Sequence, residues 1–538
     1  MQSSKQLDHL GLVSGMIDEL GLVEQINSLL SVQGKERDLS AGLACKALII
    51  NGLGFVQRTL YMVSSFFSDK PIEHLLGAGI KPEQLNDTSL GRVLDDIHSY
   101  GTTELYAGLV PQICKILNLE GSYVHMDSTD FHVDGVYNSW EEKVEAGVIH
   151  LRQGYSRDHR PDLNQVVLNL IVENKAGIPL YMAGLDGNTS DKTAFSETIE
   201  EHIRQLQTVQ KFSHLIMDSA GYTERSLTSC GDTLKWVSRV PETLGLCKAA
   251  IASTYDNWLP LSEGYEYVTL EQTVYGITQR WLLVFSQAAY EREMITLRKE
   301  FGKKSEAELK GFTKLCKEAF DTKEAGQQAF DTFLKKCKYL SINQLDFEKK
   351  AIYNKKGRPS KDDLPVSYQY FIRGEAYTQR ETYENKAATK GKFILATNDL
   401  DKQRFKDAEC FAAYKGQSKV EGGFRFLKDP QFLASTIFVK KPERVEALLF
   451  LMTLSLTVYA AIEYRIRQAL KQQDLTFPNQ LGKPIKNPTA RWVFQCFSNI
   501  TLLYNQNNPK PIILNLKSNN YLIIKLLGEK YFKYYFTP

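Results

Sequence analysis

The sequence predicts an α/β protein: a mixed-strand core, interrupted by a mostly β, partly helical insertion subdomain and preceded by a helical N-terminal domain. Three observations carry that prediction. Apolar residues recur at helical spacing up to about residue 118. From Gly121 the pattern changes to short strand-like runs, two of which end in aspartate. A long β-rich interval then separates these runs from a second, strongly helical region that begins near residue 401.

Taken in order, LVEQINSLL and SAGLACKALIINGLGFV carry the helical pattern, and TSLGRVLDDIHSYG starts at a cap, Asp87 or Thr88. SYVHMDST reads as the first core strand. QVVLNLIVEN (165–174) and GIPLYMAGL (177–185) read as two more, joined by a turn at NKAG. TSDKTAFSETIEEHIRQLQTV has a capped start and a helical pattern. SHLIMDSAG (213–221) is another strand ending in aspartate, and LKWVSRVP is a fifth. This succession of three strands, a helix, a strand, a short helical stretch and a strand is the order of an RNase H-like core. Residues 246–290 and 364–400, rich in Tyr, Thr, Val and Phe, look β, whereas 290–350 look helical and basic. After Asp399 the helical pattern returns in RFKDAECFAAYKGQSKVEGGFRFLK. The implied divisions are 1–118 (helical domain), 119–245 and 401–470 (two parts of the core), 246–400 (insertion) and 471–538 (basic C-terminal segment).

The stretch ALLFLMTLSLTVYAAI (447–462) is shorter than the roughly 20 residues that span a bilayer. It also carries Thr453, Ser455 and Thr457, so it reads as a buried core helix and no membrane partner is expected. A composition of 43% hydrophobic and 24% charged residues excludes a disordered chain and supplies a large core. The eight cysteines form no C-x-x-C pair, which argues against a zinc ribbon or a disulfide framework and fits reduced thiols. The N-terminus has no basic stretch followed by an apolar one, so no signal peptide is read and a cytoplasmic protein is expected. Charge is segregated: residues 463–538 hold eleven Lys/Arg against three Asp/Glu, and 301–360 hold fourteen against eight. Residues 1–120 run the other way, with nine against fourteen. Segregated positive charge suits a polyanion, although solvated faces produce the same count.

Asp127 and Asp218 both close apolar strand runs, where ligand and catalytic groups of α/β sheets gather. On neighbouring strands their carboxylates repel unless a cation lies between them. Hard oxygen ligands with open positions suit Mg²⁺ or Mn²⁺, and a pair of such ions can clamp a phosphoryl group during in-line displacement. A third carboxylate is expected from a helix on the same edge, and Glu421 is the candidate. Tyr414, Gln417, Glu421, Arg425 and Lys428 form one polar stripe at about 100° per residue. Val420, Phe424 and Leu427 lie on an adjacent apolar stripe that can face the sheet. Gly422-Gly423 weakens this helix by about 1 kcal/mol per glycine, which suggests a close approach by another backbone or by DNA.

The segment Tyr414-x2-Gln417-x3-Glu421-x6-Lys428 resembles the Tyr-x2-Arg-x3-Glu-x6-Lys signature of DDE insertion-sequence transposases, with Gln417 standing where that signature has Arg. HMDSTD and IMDSAG resemble the first and second aspartate motifs of that family. WVSRVPET (236–243), GYSRDHRPDLNQ (154–165) and LNDTSLGRVLDDI resemble its IS-four-like branch. The resemblance covers most of the chain, from about residue 8 to about residue 465. It implies an RNase H-like catalytic core in which Asp127, Asp218 and Glu421 hold the metal ions. It also implies that residues 1–118 recognise terminal inverted repeats, and that two chains or more assemble on DNA. The chain would cleave at the element ends and join the freed 3′-hydroxyls to target DNA.

Other residues admit two uses. Trp236 and Arg239 follow the fifth strand, and the tryptophan could stack on an unpaired base or simply fill the core. Arg157 and Arg160 in SRDHRP could touch phosphate or belong to a solvated loop. Asp130 and Asp134 read as acceptors in a turn after the first strand. His125 and His132 lack the H-x-x-x-H or paired cysteines that a zinc site needs. Two other functions share these features: a junction-resolving or repair nuclease, and a non-catalytic DNA-binding descendant of a transposase.

Overall fold

The computed structural model describes residues 2–31, 38–55, 60–119, 123–133, 147–156, 159–209, 211–354, 364–429, 439, 441–505 and 508–536. They fall into two compact units. The first comprises Met1–Arg239, Thr273–Gln279 and Thr397–Pro538, and the second Val240–Gln272 and Arg280–Ala396.

In the first unit, strand β1 (Gln2–Gln6) opens the chain, and the central strands are β2 (Tyr123–Val133), β3 (Asn164–Glu173), β4 (Pro179–Leu185), β5 (His214–Met217) and β6 (Lys235–Arg239). Their order is β4-β3-β2-β5-β6. β3 runs antiparallel to both β2 and β4, while β5 and β6 lie parallel to β2. Nearly every residue of β3 and all four of β5 are buried, as expected for strands covered on both faces. β2 is longer than its sequence suggests. Its parallel pairing with β5 ends at Met126↔Met217, but its antiparallel pairing with β3 continues to Val133↔Asn164. Asp127 therefore lies mid-strand, at the point where one of its two neighbours stops.

The helix Asp191–Glu201 is capped by Ser190, whose Oγ accepts from the Thr193 amide at 3.2 Å. The helix Asp87–Tyr100 is capped by Asn86 rather than by Asp87 or Thr88; its Oδ1 accepts from the Ser89 amide at 2.9 Å. Among the described residues one helix, Pro442–Gln472, is long and apolar enough to cross a membrane, and 83% of its most apolar window is buried within the protein. It is a core helix, packed against β4 and against the N-terminal helices Leu10–Leu20, Ala41–Gly52, Asp87–Tyr100 and Thr102–Leu117. The hydroxyls of Thr453, Ser455 and Thr457 each donate to the carbonyl four residues back at 2.9 Å, so these three buried hydroxyls are satisfied within the helix itself.

The N-terminal helices and the C-terminal segment share this unit with the core. β1 pairs antiparallel with Thr501–Asn505, a partner far away in sequence. The segment after residue 471 holds short strands and the helices Ala490–Cys496, Ser518–Leu527 and Glu529–Tyr535. The last of these lies on Leu10–Leu20 at Gly11 and Gly15. A Cβ at Gly15 would stand 2.5 Å from the Tyr531 ring.

The second unit contains β7 (Leu259–Ser262), most of β8 (Tyr265–Val274) and β9 (Ile277–Ser286), all of β10 (Leu340–Ile352) and β11 (Ser367–Thr378), and most of β12 (Lys392–Thr397). β12, β9, β8 and β7 lie side by side in that order, and β10 and β11 form a separate two-stranded ribbon. The helix Gln287–Leu315 is capped by Ser286, and Lys323–Leu334 follows it. Residues 340–350 are strand, where the sequence suggested helix. Pairing with β11 across eleven registered positions, interrupted by a bulge, overrides their weak helical pattern.

Candidate active site

Register brings Asp127 and Asp218 together. Met126 and Met217 are the last paired residues of β2 and β5, and each is followed by an aspartate. Parallel neighbours are about 4.8 Å apart, so the backbones leading into these two half-buried aspartates run side by side. Their backbones are fixed locally. Asp127 Oδ1 accepts from the Ser128 amide and Asp218 Oδ1 from the Ala220 amide, each at 2.8 Å. The Asp218 carbonyl also accepts from the Ser238 hydroxyl at 2.8 Å, which ties the end of β5 to β6.

Two helices pass over this edge. Asp407–Lys415 packs on β5 and β6, and Ser418–Leu427 packs on β2 and on Pro442–Gln472. The sequence predicts one continuous helix here, and the structure divides it at Gly416-Gln417, although both keep right-handed helical dihedrals. Space is tight at the division: a Cβ on Gly416 would stand 3.0 Å from the Ala413 carbonyl and 3.2 Å from His125 Nε2, so the imidazole would have to give by a few tenths of an ångström. Gly423 has a similar role, since its missing side chain lets Leu456 of the long core helix approach to 3.3 Å of the Cβ position. A Cβ on Gly422 would meet nothing.

Tyr414 gathers the charges of the site. Arg239, from the end of β6, hydrogen-bonds its hydroxyl. Burial pushes the phenol above its usual range, the negative charges of Asp218 and Glu421 push the same way, and Arg239 opposes them. Asp218, Glu421 and Arg239, from three separate elements, thus act on one half-buried side chain. Glu421 itself is exposed, as is Arg425, and Gln417 is half-buried at the division. Among the described residues, no three His, Cys, Asp or Glu side chains converge closely enough to hold a metal ion. The donor type and charge of Asp127 and Asp218 suit a hard cation.

Other expected residues lie elsewhere. Lys428 does not point outward with the stripe: its Nζ is 3.6 Å from Asp130, whose side chain is 4% exposed. Asp130 is not a turn residue but part of β2, and its other oxygen is 3.7 Å from His132 Nε2. Trp236 cannot stack on a base. It lies within β6, paired with Leu215, fully buried and edge-on to Tyr222 at 6.1 Å. Arg160 is engaged with Asp162 at 2.8 and 2.9 Å. Asp134 and Arg157 lie outside the described residues. Asp191 and Lys192 are the residues that pattern reading passed over. Asp191 accepts from the Ser128 hydroxyl at 2.5 Å, next to Asp127, and Asp191 and Lys192 line a cavity of about 260 Å³ with Asp130 and Gln165. Their signal was the capped TSDK start of a helix following the third core strand.

Residues 2–111 match a family model described as a domain of unknown function, DUF4277. That match covers the N-terminal helices and includes none of Asp127, Asp218 and Glu421. No curated protein matches the sequence significantly. Among solved structures, the chain is similar to the piggyBac transposase synaptic complex with hairpin DNA, seen by cryo-EM. The identity is 9% and the TM-score 0.38, over 93% of this chain and 82% of that one.

Proposed function

We propose that the protein is a DNA transposase of the DDE class with an RNase H-like core, which cleaves at element ends and joins the freed 3′-hydroxyls to target DNA. The observation that carries this reading is the register of β2 and β5, which sets Asp127 beside Asp218. The signature segment from Tyr414 to Lys428 crosses the same edge, with Glu421 acting on the phenol that Asp218 and Arg239 also reach. Asp127 and Asp218 would hold Mg²⁺, or Mn²⁺ in its place, and such an ion stabilises charge on phosphoryl oxygens as a Lewis acid. The chain's own groups would do the rest. The Arg239 guanidinium, already oriented by Tyr414, suits a phosphate oxygen because its fork of donors matches that geometry. It supplies the cation that Gln417 does not. In cleavage, water attacks the phosphodiester and the 3′-oxygen leaves as a hydroxyl. In joining, that hydroxyl attacks a target phosphodiester and displaces a second 3′-hydroxyl. A chain acting on two ends at once would work as a dimer or larger assembly on DNA, in the bacterial cytoplasm.

The test is a labelled duplex carrying the ends of the encoding element, incubated with purified chain and Mg²⁺. Asp127→Asn, Asp218→Asn and Glu421→Gln should each abolish cleavage and joining while retaining DNA binding. The Mg²⁺-induced rise in thermal midpoint should vanish in the two aspartate variants. Near-normal cleavage by Asp127→Asn would overturn the assignment. Cleavage without joining would instead identify a nuclease, and binding without either reaction a non-catalytic DNA-binding protein.

A further inference from the structure

We propose that the outer half of the β10–β11 ribbon, in the second unit, is an arm that grips the phosphodiester backbone of duplex DNA. The proposal rests on the transposase reading for the identity of the polyanion, and on the ribbon's own chemistry for the place. β10 and β11 pair antiparallel from Leu340↔Thr378 to Ile352↔Ser367. Their inner half is covered: Ile372 is buried with Phe312, Leu315 and Phe330, and Ile342, Phe347 and Ala376 pack against that cluster. Beyond Phe347↔Ile372 the character changes. Lys349, Lys350, Ile352, Ser367 and Tyr368 are all exposed.

The charges change in the same way along the ribbon. Further in, Glu348 binds Arg373, and Lys350 lies 3.5 Å from Glu348. Further out, Lys349 Nζ sits 3.8 Å from the centre of the Tyr368 ring and 6.0 Å from that of Tyr370, and Lys350 Nζ sits 4.9 Å from Phe371. Among the described residues Lys349 has no carboxylate within ion-pair distance. An aromatic face orients an ammonium without cancelling its charge, whereas a carboxylate would cancel it. Because successive strand residues alternate in direction, Lys349, held by rings alone, stands on one face of the ribbon, and Lys350, shared between Phe371 and a Glu348 already bound to Arg373, stands on the other. A two-stranded ribbon is narrow enough to enter a major groove of about 12 Å, whose walls are phosphate. The sequence around it, 301–360, carries fourteen basic against eight acidic residues, so the surrounding charge favours the same polyanion.

The experiment uses the full chain and three probes: a labelled 30-base-pair duplex of arbitrary sequence, a 30-nucleotide single strand, and vesicles of phosphatidylserine and phosphatidylcholine. Binding is measured across a salt series for the wild type and for Lys349→Ala/Lys350→Ala, with Lys349→Arg/Lys350→Arg as the charge-retaining control. Losing two phosphate contacts should flatten the plot of log K against log salt by about 1.8 and weaken duplex binding about tenfold or more near 0.1 M salt. The arginine pair should restore both. Should the alanine pair lower the thermal midpoint, Lys349→Gln/Lys350→Gln keeps the packed stems and is read by the same slope. An unchanged slope in a chain that still binds duplex would overturn the ribbon assignment and leave the transposase reading standing. A change confined to the single strand or to vesicles would also overturn it, in favour of those partners. A wild-type chain that binds no DNA at all would remove both readings.

Discussion

Lys428 and Asp130 face each other at 3.6 Å, joining the end of the helix Ser418–Leu427 to the middle of β2. Sequence position alone would send this lysine to DNA, and its loss should then flatten the salt dependence of binding by about one. The ion pair gives a different expectation. Asp130 is buried, and removing its partner leaves a charge poorly compensated, at a cost of about 1–3 kcal/mol. Lys428→Met should therefore lower the thermal midpoint, and the salt slope of DNA binding should hardly move. Asp130→Asn in the same chain should recover part of the loss, and the double-mutant cycle measures the coupling. A slope reduced by one with an unchanged midpoint would return Lys428 to the DNA-facing set.

Arg239 and Tyr414 give the second prediction. Arg239→Ala removes a positioned donor and should slow end cleavage by about a hundredfold. Arg239→Lys should not restore it, since an ammonium lacks the planar fork. Gln417→Arg should tighten end binding and, combined with Arg239→Ala, recover part of the rate. If Arg239→Ala lost stability and activity in proportion, the residue would be holding Tyr414 in place and nothing more.

His9 makes stability depend on pH. Burial holds its imidazole down to about 4, with Lys70 adding to the effect and the bond to Leu53 opposing it. Its Nε2 lies 2.7 Å from the Leu53 carbonyl, and its ring stacks on Phe494 at 4.4 Å. The folded value lies below the unfolded one, near 6.5, so the unfolded chain binds the extra proton between them. The stabilisation is complete above about pH 6.5 and is lost as pH falls toward 4, a change on the order of 3 kcal/mol. His9→Gln should flatten the thermal-midpoint profile across that window. A profile identical to wild type would show that other groups govern acid unfolding.

The C-terminal helix should prove essential to the N-terminal helices. Tyr531 donates to Glu19 at 2.7 Å, and Glu19 also accepts from Arg465 of the long core helix at 2.7 Å. Gly15→Ala drives a methyl into the Tyr531 ring and should cost about 1–3 kcal/mol. Tyr531→Leu should cost stability alone, yet make Gly15→Ala nearly harmless when the two are combined. Additive losses would mean that the ring and the glycine do not meet.

Much of the unit holding the site was legible locally, because strand and helix periodicities depend on near neighbours in sequence. The runs ending in Asp127 and Asp218, the capped helix after Ser190 and the buried helix around Thr453 all follow from such patterns. What sequence alone could not decide was how each side chain is used, because that depends on partners far along the chain. The register Met126↔Met217 sets two aspartates side by side across ninety-one residues of sequence. Pairing of β6 with β5 places Trp236 inside the sheet instead of beyond its end, and Asp130 reaches Lys428 from nearly three hundred residues away. Likewise, β1 finds its partner at Thr501–Asn505, and Gly15 is explained only by Tyr531. Periodicity determines which face of an element is apolar. Only the closing of long loops in the folded chain determines which charge, ring or backbone that face will meet.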